Sequence, residues 1–214
     1  MARSSANCED LEELAGAGLY ESVANVGLAD LEVAVKTVWA SLWTRRAALG
    51  RRQAGIPHEQ AHMAVLIQSL LTPDYSFVLH TANPIDRNPR QVYAELAVGL
   101  GETLASAAAR GNPYRLVGDK TSGAVTPLAF ANFSQGLWPC PTGGLTTKTI
   151  DYSRVALSRD AEAWHRLGRR LTAIGRHVEE AFGMPQDIEG AVVGDAIFLV
   201  QSRPQQGLKN EDPA

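Results

Sequence analysis

The spacing of apolar residues along the chain predicts a short series of helices and strands. Leu31, Val35, Val38, Leu42 and Leu49 recur at helical intervals from Leu31 to about Ala54, with Arg45, Arg46, Arg51 and Arg52 on the outer side. Gly55-Ile56-Pro57 ends that helix. Met63–Ile67 is a continuous apolar run, the pattern of a buried strand, and Tyr75–His80 is rich in β-formers. Thr72-Pro73-Asp74 between them reads as a turn. Gln91–Val98 gives a third strand, after which Gly99-Leu100-Gly101-Glu102 opens an Ala-rich helix to about Arg110. Residues 111–158 read as short strands and turns punctuated by glycine. Trp164, Leu167, Leu171, Ile174 and Val178 place Asp160 to Phe182 on a long helix, with Gly183 as its C-cap. The chain then forms a hairpin, Asp187–Val193 and Ala196–Arg203, about Gly194-Asp195. Residues 3–22 read as a loop leading into structure, the tail after Pro204 is polar, and there is no internal repeat.

Strands and helices mix without strict βαβ alternation, which predicts an α+β fold with a mixed or antiparallel sheet, flanking helices and a C-terminal β-hairpin. The length of 214 residues suits one sizeable domain or two small lobes, and an apolar content of 45% with 20% charged residues predicts a packed core. A net charge of -3 argues against a general nucleic-acid binder. No apolar run approaches the roughly 20 residues that span a membrane. Cys8 and Cys140 lack CxxC spacing and fit neither a disulfide framework nor a zinc site. Met1-Ala2-Arg3-Ser4-Ser5 has no room for a targeting segment.

The hairpin carries the densest chemistry. Asp187 and Glu189 lie at i, i+2, as do Gln201 and Arg203, so each pair shares a face of its strand. Carboxylate and amide oxygens suit Mg²⁺, and a guanidinium fork suits phosphate. Register decides whether the pairs meet. A two-residue turn at Gly194-Asp195 would oppose Ile188 to Gln201 and throw the carboxylates to the other face. A three-residue loop centred on Asp195 opposes Glu189 to Gln201 and Asp187 to Arg203, and this is the loop expected here. An ordinary hairpin with a solvated polar side has the same spacing. Gly16-Ala17-Gly18 lacks the lysine and spacing of a Walker loop, and Gly99-Leu100-Gly101-Glu102 suits either an anion or a simple helix cap. None of the five histidines is expected to be a metal ligand, although His58 and His62 stand four residues apart. Trp39, Trp43 and Trp164, at helical spacing, are expected in the core or between packed elements.

Several segments together resemble one family. Arg3–Leu11 (RSSANCEDL) is similar to the opening of the nucleotide-binding domain of the pyruvate, phosphate dikinase family. Ala17–Val23 (AGLYESV), Val38–Trp43 (VWASLW), His80–Pro84 (HTANP) and Gly99–Leu104 (GLGETL) resemble its glucan, water dikinase branch. Leu128–Ser134 (LAFANFS) and Gln201–Gln205 (QSRPQ) are most similar to the phosphoglucan members of that branch.

The resemblance implies an ATP-grasp-like lobe over residues 1–206 with a polar tail at 207–214. It implies that Arg3 and Arg203 contact the ATP phosphates, and that Gly18 and Ser22 belong to a loop covering them. Gln68 would follow the strand lining the adenine pocket, and Asp187, Glu189 and Gln201 would ligate Mg²⁺ and nucleotide. The implied reaction moves the ATP β-phosphate to a histidine outside this chain and then to a glucosyl unit of phosphorylated starch. The γ-phosphate goes to water, and AMP is released. The implied partners are ATP or AMP and, through other domains, starch or phosphoglucan, in a chloroplast. A second ATP-grasp lobe and the phosphohistidine domain are expected outside residues 1–214, so this chain alone is not expected to complete the cycle. A dikinase with a small acceptor such as pyruvate, and a non-catalytic interaction module, are the alternatives.

Overall fold

A computed structural model describes residues 1–8, 10–11, 14–15, 18–105 and 111–208. The fold is α+β, and its contacts divide it into two compact units: Met1–Leu70 with Pro139–Thr146, and Leu71–Trp138 with Thr147–Ala214. No helix among the described residues is long and apolar enough to cross a membrane.

In the first unit, β1 (Ala2–Ala6) pairs antiparallel with β4 (Met63–Ile67). A small hairpin, β2 (Asp10–Leu11) and β3 (Leu14–Ala15), lies between them in sequence, followed by α1 (Leu31–Ala40) and α2 (Arg45–Gln53). The segment expected to be a loop therefore opens with a strand. Its Ala2 is wholly buried and packs with Ala34 and Val38 of α1. The Met63–Ile67 strand is present but not buried as its apolar run suggested: Leu66 and Ile67 are each 52% exposed.

The single helix expected over 31–54 is two. Ser41 Oγ donates to Val38 O at 2.6 Å, and Thr44 leaves helical geometry at ψ 149° to cap α2, accepting from Ala47 N–H at 3.3 Å. Hydroxyls that bond the backbone locally compete with helix continuation in this way. The break resets the helical phase. Arg51, expected outside, is fully buried, while Leu49, Trp39 and Trp43 are exposed. Arg51 Nη2 donates to Leu42 O at 2.6 Å, its Nε to His58 Nδ1 at 3.3 Å, and its guanidinium lies 5.5 Å from the Trp43 ring centre. The Gly16 and Ala17 of the candidate loop fall outside the described residues.

The second unit holds β5 (Tyr75–His80), β6 (Gln91–Val98), α3 (Glu102–Ala105), β7 (Tyr114–Asp119) and β8 (Val125–Ala129). Strands β9 (Gln135–Pro139) and β10 (Leu145–Thr149) form a ribbon whose tip belongs to the first unit. Then come α4 (Ala156–Arg159), α5 (Ala161–Phe182), β11 (Gln186–Val193) and β12 (Ala196–Pro204). Residues 106–110, where α3 was expected to continue, and 209–214 of the tail lie outside the described residues.

Six strands form one antiparallel sheet in the order β12-β11-β5-β6-β7-β8. Its α5 side is apolar. Phe77, Leu79, Ile188, Leu96 and Leu116 are buried there with Leu167, Leu171 and Val178 of α5. The helix matches its expected bounds, with Asp160 Oδ1 accepting from Glu162 N–H at 2.9 Å and Gly183 closing it at φ 68°. Gly118 on β7 lets the helix approach closely, since a Cβ there would sit 1.8 Å from Thr172 Oγ1. Trp164 is partly buried against this core, the only one of the three expected tryptophans that is.

Two substitutions test this packing by chemical denaturation. Leu79, with 0% exposure, should cost about 2–5 kcal/mol on Leu79→Ala. Gly190→Ala should cost about 1–3 kcal/mol by overpacking. Its Cβ would meet the Phe77 ring at 2.2 Å and the backbone oxygen of Phe198, which cannot yield, at 2.6 Å.

Candidate functional site

The hairpin reaches the expected pairing by an unexpected route. Its turn has two residues, not three: Val193 faces Ala196 across Gly194-Asp195. Gly194 sits at φ 56°, the positive φ that a tight hairpin turn demands of its first central residue. Its N–H donates to Asp74 Oδ2 at 2.7 Å, and Arg170 Nη2 donates to Asp195 O at 2.6 Å. With the turn pinned from both sides, the surplus residue is taken up inside the ladder. Gly190 faces Leu199, Val200 is the extra residue of a β-bulge, and Glu189 then faces Gln201 and Asp187 faces Arg203. The bulge does what the three-residue loop was expected to do.

Residues opposed across an antiparallel ladder share a face, so registry across the sheet defines two polar ranks on the side away from α5. The first runs Arg203, Asp187, His80, Tyr93 over β12, β11, β5 and β6. The second runs Gln201, Glu189, Val78, Glu95, Arg115 and extends to β7.

In the first rank, Arg203 grips Asp187 Oδ2 with Nε at 3.0 Å and Nη2 at 2.9 Å, a two-donor fork on a carboxylate that is 13% exposed. Asp187 Oδ1 is buried and accepts no hydrogen bond, and His80 Nδ1, 3.8 Å away, is buried and makes none either. In the second rank, Arg115 Nε donates to Glu95 Oε1 at 2.8 Å, and Tyr93 O–H reaches the same oxygen at 3.1 Å. Burial, reinforced by the Glu95 charge, pushes the Tyr93 phenol up to about 12, so it serves as a donor. The segment after β5 is also fixed: Gln205 donates to Ala82 O at 2.8 Å and accepts from Ala82 N–H at 3.0 Å, while Gln186 N–H donates to Thr81 Oγ1 at 2.8 Å.

The structure thus brings four of the expected residues, Asp187, Glu189, Gln201 and Arg203, onto one face of the second unit. The other four lie in the first unit. Arg3 sits on β1 opposite Leu66. Ser22 Oγ accepts from Ser4 N–H at 3.0 Å, next to Arg3 in sequence. The Gln68 and Met1 backbones bond mutually at 3.0 and 2.6 Å at the same end of the ribbon. Gly18 is exposed at φ 72° with open space around the position of a Cβ. Sequence reasoning missed His80, Tyr93, Glu95 and Arg115 as members of the face. The signal lies in the polar residues at i, i+2 in β6, Tyr93 and Glu95, which share a face of that strand.

Two backbone donors of the Gly99-Leu100-Gly101-Glu102 turn are taken up within the fold. Gly99 N–H donates to Asp74 O at 3.2 Å and Leu100 N–H to Leu137 O at 2.9 Å, so these donors are engaged. A cavity of about 440 Å³ among Pro89, Lys120, Arg176, Glu179 and Met184 contains none of the expected residues. Among the described residues, no group of three or more His, Cys, Asp or Glu side chains is placed to hold a metal ion. What the face offers a hard cation is two carboxylates and one amide, with Asp187 Oδ1 lacking a donor. That oxygen-only set is the donor chemistry Mg²⁺ accepts.

The chain is similar to several known proteins. The chain is 34% identical over 200 residues to alpha-glucan water dikinase 2 of Arabidopsis thaliana, covering 81% of this chain and 16% of that protein. It is equally, 34%, identical over 203 residues to a rifampicin phosphotransferase of Bacillus cereus, covering 94% and 23%. It is 32% identical over 213 residues to a probable phosphoenolpyruvate synthase of Pyrococcus abyssi, covering 97% and 26%. The chain therefore spans about a quarter or less of these curated relatives, which include a dikinase and a phosphotransferase with different acceptors in their names. Residues 1–214 match the family described as pyruvate phosphate dikinase, AMP/ATP-binding domain, and the chain belongs to that family.

Proposed function

We propose that this chain is the ATP-binding, ATP-grasp-like lobe of a phosphoglucan, water dikinase. The observation that carries the nucleotide part is the bulge-set face, where Asp187 and Glu189 oppose Arg203 and Gln201 in one register. In this reading Arg203 and Arg3 grip phosphate oxygens, Arg203 with the planar fork it presents to Asp187 in the free fold. Asp187, Glu189 and Gln201 turn their oxygens to Mg²⁺, which would neutralise charge on the transferring phosphoryl group. The family resemblance further assigns Gly18 and Ser22 to a loop over the phosphates and puts Gln68 after the strand lining the adenine pocket. The β-phosphate passes to a histidine on another domain and then to a glucosyl hydroxyl of phosphorylated starch. Water takes the γ-phosphate, and AMP leaves. A chloroplast location goes with that acceptor. The acceptor rests on the similarity of Leu128–Ser134 and Gln201–Gln205 to phosphoglucan members.

A second reading, a dikinase with a small-molecule acceptor, draws on the rifampicin phosphotransferase. It matches this chain at the same identity as the glucan dikinase and over a larger share of it.

Calorimetry with Mg-ATP tests the nucleotide site. The wild-type chain should bind, and Glu189→Ala combined with Arg203→Ala should not. Arg203→Lys alone, which keeps charge but loses the fork, should bind roughly 10–100-fold more weakly, the equivalent of a charged hydrogen bond of about 1.5–3 kcal/mol. A folded wild type indifferent to Mg-ATP would mean the lobe is a non-catalytic module. For the acceptor, the chain is supplied with a phosphohistidine domain of the glucan dikinase type and ATP labelled at the β-phosphate. Label is expected on phosphorylated starch in preference to pyruvate or rifampicin, and label on either small molecule instead overturns the glucan assignment.

A further inference from the structure

We propose that His80 is a positioning residue for Asp187, which exchanges the fork of Arg203 for the Nδ1–H of His80 when a phosphate takes the arginine. The inference rests on the nucleotide-site reading above. It starts from two buried polar atoms that face each other without bonding, Asp187 Oδ1 and His80 Nδ1, at 3.8 Å. Each such orphan ordinarily destabilises the fold, and closing the pair needs a shift of roughly 0.6–1 Å.

The cause of the gap is visible. Both Arg203 donors converge on Oδ2, at 3.0 and 2.9 Å, and hold the carboxylate to their own side. His80 stands on the neighbouring strand directly opposite Asp187, and its ring lies beside that of Tyr93, centre to centre 6.3 Å. It is one-quarter exposed against 13% for Asp187, so water gives the carboxylate little alternative.

The guanidinium cannot present the same two N–H groups to Asp187 and to a phosphate. Moving the fork to phosphate strips Asp187 of its donors while it stays buried. A proton on His80 Nδ1 supplies the replacement. Carboxylates that ligate metals are themselves held by outer hydrogen bonds, and losing such a partner typically weakens binding about 10–100-fold. His80 thereby makes the release of Arg203 cheap and keeps Asp187 aimed.

The test combines calorimetry with ¹⁵N NMR of the His80 ring. His80→Phe keeps an aromatic ring beside Tyr93 but cannot donate, and should weaken Mg-ATP binding about tenfold. His80→Asn places an amide N–H near the position of Nδ1 and should recover most of that loss. In the wild-type complex, Nδ1 should carry the proton, in a hydrogen bond absent from the free protein. Wild-type affinity in His80→Phe, or a complex with the proton on Nε2 alone, overturns the proposal while leaving the nucleotide site standing. If the wild type binds no Mg-ATP, that reading fails, and ligand-free Arg203→Ala still decides the exchange. With the fork gone, a His80 Nδ1–H bond to Asp187 should appear, and its absence overturns the proposal.

Discussion

In an antiparallel ladder, opposed residues share a side of the sheet, so one surplus residue reverses the alternation of everything beyond it. Val200 is that residue. Before it, Ile197 packs into the core on the α5 side and Leu199 faces Gly190, of the same parity; after it, Ser202 takes the inward place and bonds Gln186 Oε1 at 2.9 Å. Gln201 and Arg203 are thereby turned outward beside Glu189 and Asp187. The opposition of Asp187 to Arg203 and of Glu189 to Gln201 depends on this phase change, while the rank continues to His80 and Tyr93 through the β11–β5 and β5–β6 ladders.

How much of this was legible depended on whether the deciding force was local. Tyr75–His80, Gln91–Val98 and the helix closed by Gly183 announced themselves, because apolar periodicity and a glycine cap act within a few residues. The first helix did not, because Thr44 breaks it through a hydroxyl bond of a few kilocalories at most, too small to disturb the hydrophobic pattern. Drawing one helical wheel through that break exchanged the environments of Arg51 and Leu49. Met63–Ile67 reads as a buried strand by composition, but among the described residues β1 is its one ladder partner, and Leu66 and Ile67 are open. In the hairpin the pairing was legible and the means was not. Spacing counts the surplus residue but does not say whether turn or ladder absorbs it, and here Asp74 and Arg170, distant in sequence, decide.

The division of the expected residues between two units bears on function. The sheet face gathers Asp187, Glu189, Gln201 and Arg203, while Arg3 lies on β1, Ser22 bonds β1 through Ser4, and Gln68 follows β4. The chain is equally identical to a glucan water dikinase and to a rifampicin phosphotransferase, two proteins whose names give different acceptors.

The bulge also matters for what this sheet does not do. β12 is a nine-residue edge strand with Phe198 and Leu199 exposed, the sort of border along which protein molecules zip together in solution. An irregularity in mid-strand interrupts the row of outward amides and carbonyls and twists it off line. The opposite border, β8, achieves the same with Pro127, which has no amide hydrogen to offer. The residue that aims Gln201 and Arg203 therefore also helps to keep one copy of the sheet from templating the next.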